Sequence, residues 1–212
     1  ANRFHEDEFD MSGSIFDVFD CGNEENEVSS VWVKVEPAAS VDYDDGAGQL
    51  CAFTASDVYV DPNIPQECLD EGCGFSNNPF KTIIRTLEMI NPTEDNPTTI
   101  HLAEGTYSPE TGENFPIIMM SNVIMIGEGA NITTIDVQQS GQGFHLISIE
   151  NIDITNLSII NSMGSMEVGW EYPEFWGGGL LLTNSNNINL SYIDFSNNFS
   201  EMGGAIAILS SS

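Results

Sequence analysis

The sequence predicts an all-β solenoid, a right-handed parallel β-helix closed at its N-terminal end by one α-helix. Three observations carry this. Beyond residue 98 the chain reads as short apolar strands broken by Gly and Asn. The block from Ile152 to Asn161 recurs from Ile188 to Asn197 with its apolar residues and terminal Asn in matching positions. One stretch before the strands has helical spacing instead.

The chain divides into an acidic N-terminal arm, residues 1–56, and the β-helix, residues 57–212. The arm surrounds a few aromatics with Asp and Glu. Within it Val31-Trp32-Val33-Lys34-Val35 alternates and predicts a short strand. Asp42, Asp44 and Asp45 follow, beside Gly46, in an acidic turn. Clustered carboxylates suit hard cations, so these three are candidate Ca²⁺ ligands, although the full EF-hand spacing is missing. The competing reading is a solvated turn.

Val58-Tyr59-Val60-Asp61 predicts the next strand. From Pro79 to Ile90 the apolar residues Phe80, Ile83, Ile84, Leu87 and Ile90 fall on one helical face, and Asn91-Pro92 ends the helix. This helix, 79–90, is expected to cover the first coil. Strands then follow at Thr99–Leu102, Gly105–Tyr107, Phe115–Met119, Val123–Gly127, Thr134–Val137 and Phe144–Ile149.

The repeat sets the architecture. Ile152, Ile154, Leu157 and Ile159 align with Ile188, Leu190, Ile193 and Phe195, and Asn161 with Asn197. Met125 joins the Ile154 column. Gly178-Gly179 recurs as Gly203-Gly204, a 25-residue spacing. A period in the twenties with several short strands describes one coil of a parallel solenoid, in which like residues stack in columns. Asn at a turn tolerates left-handed backbone and can bond the Asn one coil away. The insertion between Asn161 and Gly178 lengthens one turn. It carries Trp170, Tyr172, Phe175 and Trp176 with Glu171 and Glu174, a candidate contact loop for carbohydrate or protein. The plainer reading is a loop folded back over its own coil.

Four Lys and Arg stand against 33 Asp and Glu, a formal net charge of −29. Nucleic acid and anionic membrane surfaces need Lys and Arg to replace their counterions, so both are excluded as main partners. Solubility in salty water, Ca²⁺ binding and attraction to a basic partner remain as explanations. No apolar run has membrane-spanning length, and membrane insertion is not expected. The chain starts at Ala1 and reads as a mature form whose leader has been removed. Cys68 and Cys73 bracket a short loop and can close a local disulfide, which would pair Cys21 with Cys51 by elimination, though four cysteines allow three connectivities. No Cys-x-x-Cys is present, which argues against zinc and for an oxidising, extracellular setting.

The run Asn78-Pro79-Phe80-Lys81-Thr82-Ile83, followed by Ile100–Tyr107, resembles the opening of pectin-lyase-like β-helix proteins. Gly112–Ile117 with Val123–Gly129 is similar to an uncharacterised domain at the start of many secreted bacterial β-helices. Phe195-Ser196-Asn197-Asn198 with Gly203-Gly204-Ala205-Ile206 resembles the paired motifs of polymorphic outer-membrane protein repeats. The resemblance implies a solenoid with an N-terminal capping helix and a secreted or cell-surface location. It says little of activity, because such solenoids host lyases, hydrolases, adhesins and inert shafts.

Lyases of this fold use a Lys or Arg base, and none occurs after Arg85. Hydrolases use clustered carboxylates. Asp136, Asp153 and Asp194 lie on the coils, with Asp153 over Asn189 and Asp194 over Ser158, so none meets a second carboxylate in this register. His101 and His145 read as isolated. The expected function is a non-catalytic extracellular surface or structural protein, such as an adhesin, shaft or filament-forming subunit. The alternative is the N-terminal part of a polysaccharide lyase or glycoside hydrolase. Expected partners are a second copy stacked head to tail, or a cell-surface protein or glycan. Asn131, Asn156, Asn189 and Asn198 each begin an Asn-x-Ser/Thr triplet, a glycosylation acceptor in a host with that machinery.

Overall fold

The computed structural model describes residues 56–68, 73–166 and 175–209, all within a compact unit from Thr54 to Ser212. The expected strand at Val31–Val35, the acidic turn at Asp42, Asp44 and Asp45, and Cys21 and Cys51 lie outside the described residues.

The elements are β1 (Asp57–Val60), α1 (Ile83–Met89), β2 (Thr98–Leu102), β3 (Gly105–Tyr107), β4 (Ile117–Ile118), β5 (Val123–Gly127), β6 (Thr133–Asp136) and β7 (Phe144–Ile147). They continue with β8 (Glu150–Ile160), β9 (Ser165–Met166), β10 (Phe175–Trp176), β11 (Leu180–Thr183), β12 (Asn186–Ser196) and β13 (Ile206–Leu209). The fold is all-β, and its ladders are parallel. One ladder runs β1-β2-β5-β8-β12. A second joins β3 to β6 and β6 to the later half of β8. A third runs β4-β7-β11-β13. Only β9 and β10, at the base of the insertion, pair antiparallel among the described strands.

Strand alternation sends one apolar column of each ladder inward. In the first, Val58, Ile100, Met125 and Ile154 stack with no exposed surface. In the second, Tyr107, Ile135 and Ile159 do the same, and in the third Ile117, Phe144 and Leu180. Each such side chain contributes ~1.5–3 kcal/mol of burial. The Tyr107 hydroxyl donates to the Val60 carbonyl at 3.0 Å and so ties the second ladder to the first.

β8 and β12 each serve two ladders because they bend. Asn156 and, opposite it, Tyr192 take left-handed backbone, with φ of 59° and 52°. Gly127 lies against that bend: a Cβ there would sit 2.2 Å from the Asn156 carbonyl oxygen, so no other residue fits.

A second left-handed turn is built from asparagine. Asn122, Asn151 and Asn187 have φ of 63°, 59° and 53°. Asn151 Nδ2 donates to Asn122 Oδ1 at 2.9 Å, and Asn187 Nδ2 to Asn151 Oδ1 at 2.8 Å. Asn151→Ala removes both bonds and places Cβ in the left-handed region without a local amide. The expected loss is ~2–3 kcal/mol. A lower urea midpoint at unchanged slope is the readout, and an unmoved midpoint would mean the ladder contributes nothing.

The aligned repeat keeps its register: Ile152, Ile154, Leu157 and Ile159 face Ile188, Leu190, Ile193 and Phe195. The glycine alignment is one residue out. Leu180 pairs with Ile206 and Leu182 with Ile208, so Gly178 faces Gly204 rather than Gly203. A one-residue slip would turn every apolar side chain of the strand outward, and burial overrides the matching glycines.

The cap is shorter than expected. Pro79 and Phe80 are extended, and the helix occupies Ile83–Met89 rather than 79–90. Phe80 N–H donates to the Tyr59 carbonyl at 2.9 Å, Asp61 N–H to the Phe80 carbonyl at 2.8 Å, and Tyr59 N–H to the Gly74 carbonyl at 2.9 Å. The outer edge of β1 is therefore already bonded, as an edge strand needs. Phe80, Ile83, Leu87 and Ile90 are buried as expected. Ile84 is only half-buried, and Thr86 takes the core place, its hydroxyl donating to the Thr82 carbonyl at 2.9 Å.

Cys68 and Cys73 form the expected disulfide. Closing so short a loop is worth about 2 kcal/mol on the chain-entropy account. Cys68→Ser with Cys73→Ser should lower the melting temperature by roughly 4–8 °C. No change would show that the β1 edge bonds already fix this turn.

Candidate functional site

Polar side chains gather at three places: a cleft beside the cap, a groove on the outer face of the first ladder, and the base of the insertion.

The cleft beside the cap has a volume of about 410 Å³, and Lys81 and Arg85 both line it. The described residues thus bring their only two Lys and Arg side chains to one place. Arg85 Nη1 lies 3.4 Å from Glu88 Oε2, and its Nε is buried with no hydrogen-bond partner. Two carboxylates hold the amide end of α1, where free N–H groups and the helix dipole favour negative charge. Glu67 Oε1 accepts from Lys81 N–H at 2.8 Å and Cys68 N–H at 3.1 Å, and its Oε2 from Thr82 Oγ1 at 2.9 Å. Glu113, 2% exposed, accepts from Ile83 N–H at 2.5 Å and from Ile84 N–H at 3.4 Å. Burial pushes the Glu113 carboxyl up to about 7; the two amides pull the other way, and the Glu67 charge adds to the upward push. A carboxyl with that proton affinity can exchange a proton near neutrality. Its oxygens face backbone amides, so its work is to anchor the helix.

The groove on the first ladder has a volume of about 520 Å³. Glu94, Pro97, Ile124, Asp153 and Asn189 line it together with the asparagine ladder. Asp153 Oδ2 accepts from Asn189 Nδ2 at 3.1 Å, while Oδ1 is buried with no partner. The groove offers amide and carboxylate groups at strand spacing, a lining suited to hydroxyl-bearing ligands. On the same ladder His101 Nε2 meets Asp57 Oδ1 at 2.8 Å and stacks on Tyr59 with ring centroids 4.7 Å apart. The hydrogen bond to His101, then that from Ser56, holds Asp57 below the usual carboxylate range. His101 is therefore not isolated.

Of the insertion's candidate residues, only Phe175 and Trp176 are described, as β10. Trp170, Glu171, Tyr172 and Glu174 lie outside the described residues. Gln142, 1% exposed, donates through Nε2 to the Trp176 carbonyl and, at 3.1 Å, to the Gly177 carbonyl, while its Oε1 meets His145 Nε2. This clamp fixes the insertion to β7. Beneath it Leu180, Leu181 and Leu182 are all buried, so β11 is covered on both faces. Ile118, in the same outward column as Leu181, is 67% exposed.

Asp153 faces Asn189 and Asp194 faces Ser158 as the register predicts. The partner of Asp136 is a further finding: its Oδ1 accepts from Asn161 Nδ2 at 2.8 Å. Among the described residues no group of three or more His, Cys, Asp or Glu could hold a metal ion. Glu67 and Glu113 carry no recognisable signal in the sequence, being brought together only by the fold.

The family described as "Protein of unknown function (DUF1565)" matches residues 68–167. That match and the parallel ladders together fit a β-helix-like fold. The Metabotropic glutamate receptor-like protein P of Dictyostelium discoideum is 34% identical over 159 residues, which is 73% of this chain and 10% of that protein. The chain therefore spans about a tenth of that relative's length. No solved structure matches significantly.

Proposed function

We propose that this chain is a segment of a right-handed, pectin-lyase-like parallel β-helix that acts outside the cell as a non-catalytic scaffold, presenting its insertion to a protein or glycan. The right hand follows from the strong preference of parallel crossovers. One observation carries the scaffold reading: the polar side chains of the coils are used coil to coil. Asn122–Asn151–Asn187, Asp136–Asn161, Thr134–Ser158, Asp153–Asn189 and Thr155–Ser191 all bond along the stack. Such ladders stabilise a shaft and leave each carboxylate beside an amide or hydroxyl rather than a second acid. The disulfide supports an oxidising, extracellular setting. The bonded outer edge of β1 favours a partner at the insertion over a second copy stacked head to tail at that end.

The test is incubation of the chain with neutral and acidic polysaccharides, with and without Ca²⁺, followed by chromatography of the products. The scaffold reading expects no shortened chains. Released oligosaccharides would establish the enzyme reading instead. Ca²⁺ binding by Asp42, Asp44 and Asp45 is proposed in the same setting: millimolar Ca²⁺ should raise the melting temperature beyond matched NaCl, and an equal effect of the two salts counts against it.

A further inference from the structure

The fold separates the four Asn-x-Ser/Thr triplets from one another. Asn198 is committed: its Oδ1 accepts from Ser162 N–H at 3.1 Å and Ser162 Oγ at 2.6 Å, and its Nδ2 donates to the Ile159 carbonyl at 2.8 Å. Asn189 donates to Asp153 inside the groove. Asn156 is half-buried at the bend of β8, opposite Tyr192. Asn131 differs from all three. It is exposed, lies in the turn before β6, and its side chain makes no hydrogen bond. Its neighbour Ile132 is 47% exposed, so the turn faces open solvent. The turn is held without the Asn131 side chain: Ile132 N–H and Thr133 N–H both donate to the Gly129 carbonyl, at 2.9 and 2.8 Å.

We propose that Asn131 is an N-glycosylation acceptor, and that among the four triplets it is the one that carries glycan in the folded chain. This rests on the reading that the chain is exported. In the transfer, Asn131 Nδ2 forms a bond to the anomeric carbon of an oligosaccharide. The bond from that carbon to a polyprenyl pyrophosphate breaks, the pyrophosphate leaves on the lipid, and the Nδ2 proton passes to a carboxylate of the transferase. The order of events follows from Thr133. The motif needs its hydroxyl, yet Thr133 is 0% exposed, its Oγ1 donating to the Ala103 carbonyl at 3.3 Å and accepting from Glu128 N–H at 3.0 Å. Transfer therefore precedes folding of β6. A glycan placed then on Asn156, Asn189 or Asn198 opposes that residue's packing or hydrogen bonds and hinders folding, whereas one on Asn131 stays outside when the fold buries the threonine.

The test is expression of the 212-residue chain behind a cleavable leader in a eukaryotic secretory host. The leader delivers the chain to the lumen in any case, so a negative result counts against the site and not against natural export. Secreted chain is treated with peptide N-glycosidase in ¹⁸O water and mapped by mass spectrometry. The expected result is ¹⁸O-labelled Asp at position 131, unlabelled Asn156, Asn189 and Asn198, and a mobility shift of one glycan. Asn131→Gln should migrate as the deglycosylated wild type, with an unchanged melting temperature, because the side chain is exposed and makes no hydrogen bond. Secreted chain without label at 131, or with equal label at 156, 189 or 198, overturns the proposal. Modification of purified, folded chain by the transferase and its lipid donor overturns the order of events.

Discussion

Ile83→Asp is expected to leave no folded chain at 25 °C, while Ile84→Asp, one residue on, is expected to fold. Ile83 is 0% exposed, and its N–H is bonded to the buried Glu113. The substitution forfeits ~2–3 kcal/mol of burial. It also puts an unpaired charge into the core, next to the buried Glu113 carboxyl that its own N–H bonds, at a further cost of several kcal/mol. The sum, more than about 5 kcal/mol, is comparable with the whole stability of a domain this size. Ile84 is half-buried and lines the cleft with Lys81 and Arg85. A carboxylate there finds water and two cations to offset Glu67 and Glu88, so its effect should stay within about 1 kcal/mol. Circular dichroism melts of the two variants decide it; equal losses would mean that the helix face is wrongly oriented.

That contrast also shows where sequence reading stops. Phe80, Ile83, Ile84, Leu87 and Ile90 fit one helical face on paper, but Phe80 belongs to an extended segment bonded to β1. Starting the helix at Ile83 brings Thr86 inward, and a threonine that satisfies its own hydroxyl on the preceding turn looks polar in the sequence. The β8–β12 register was legible because both strands carry the same apolar spacing and end in Asn. The β11–β13 register was not, because identical glycines outweighed the less similar Leu and Ile that set the pairing.

The candidate sites were less legible for a different reason. Each depends on residues distant in sequence. Asp57 and His101 are 44 positions apart, and Glu113 reaches Ile83 across 30. Spacings of 24, 29 and 36 residues separate the paired polar groups, so no fixed period reveals them. The coil carboxylates were easier, since Asp153 and Asp194 lie within the one repeat whose register can be read directly.

The Glu113 carboxyl gives the chain an expected pH dependence of definite sign. Exposed, this group releases its proton near 4.5; in the fold it holds it to about 7. Between those values the folded chain binds more protons than the unfolded one, so stability falls as pH rises through this window. The contribution is fully present below about 4.5 and lost above about 7. At about 1.4 kcal/mol per pH unit it amounts to ~3 kcal/mol. Repulsion within a chain of net charge −29 tilts stability the same way, so the wild-type curve alone does not isolate the group. Glu113→Gln does. It keeps an oxygen to accept from Ile83 N–H but cannot ionise, so the variant retains the general tilt and loses the steeper fall between about pH 4.5 and 7. The measurement is the unfolding free energy of both proteins by urea titration at half-unit pH steps. Curves that separate toward neutral pH, with the variant the flatter, establish Glu113 as the titrating group. Parallel curves would mean that its proton is not linked to folding and that the two amides of α1 accommodate the ionised carboxylate without loss.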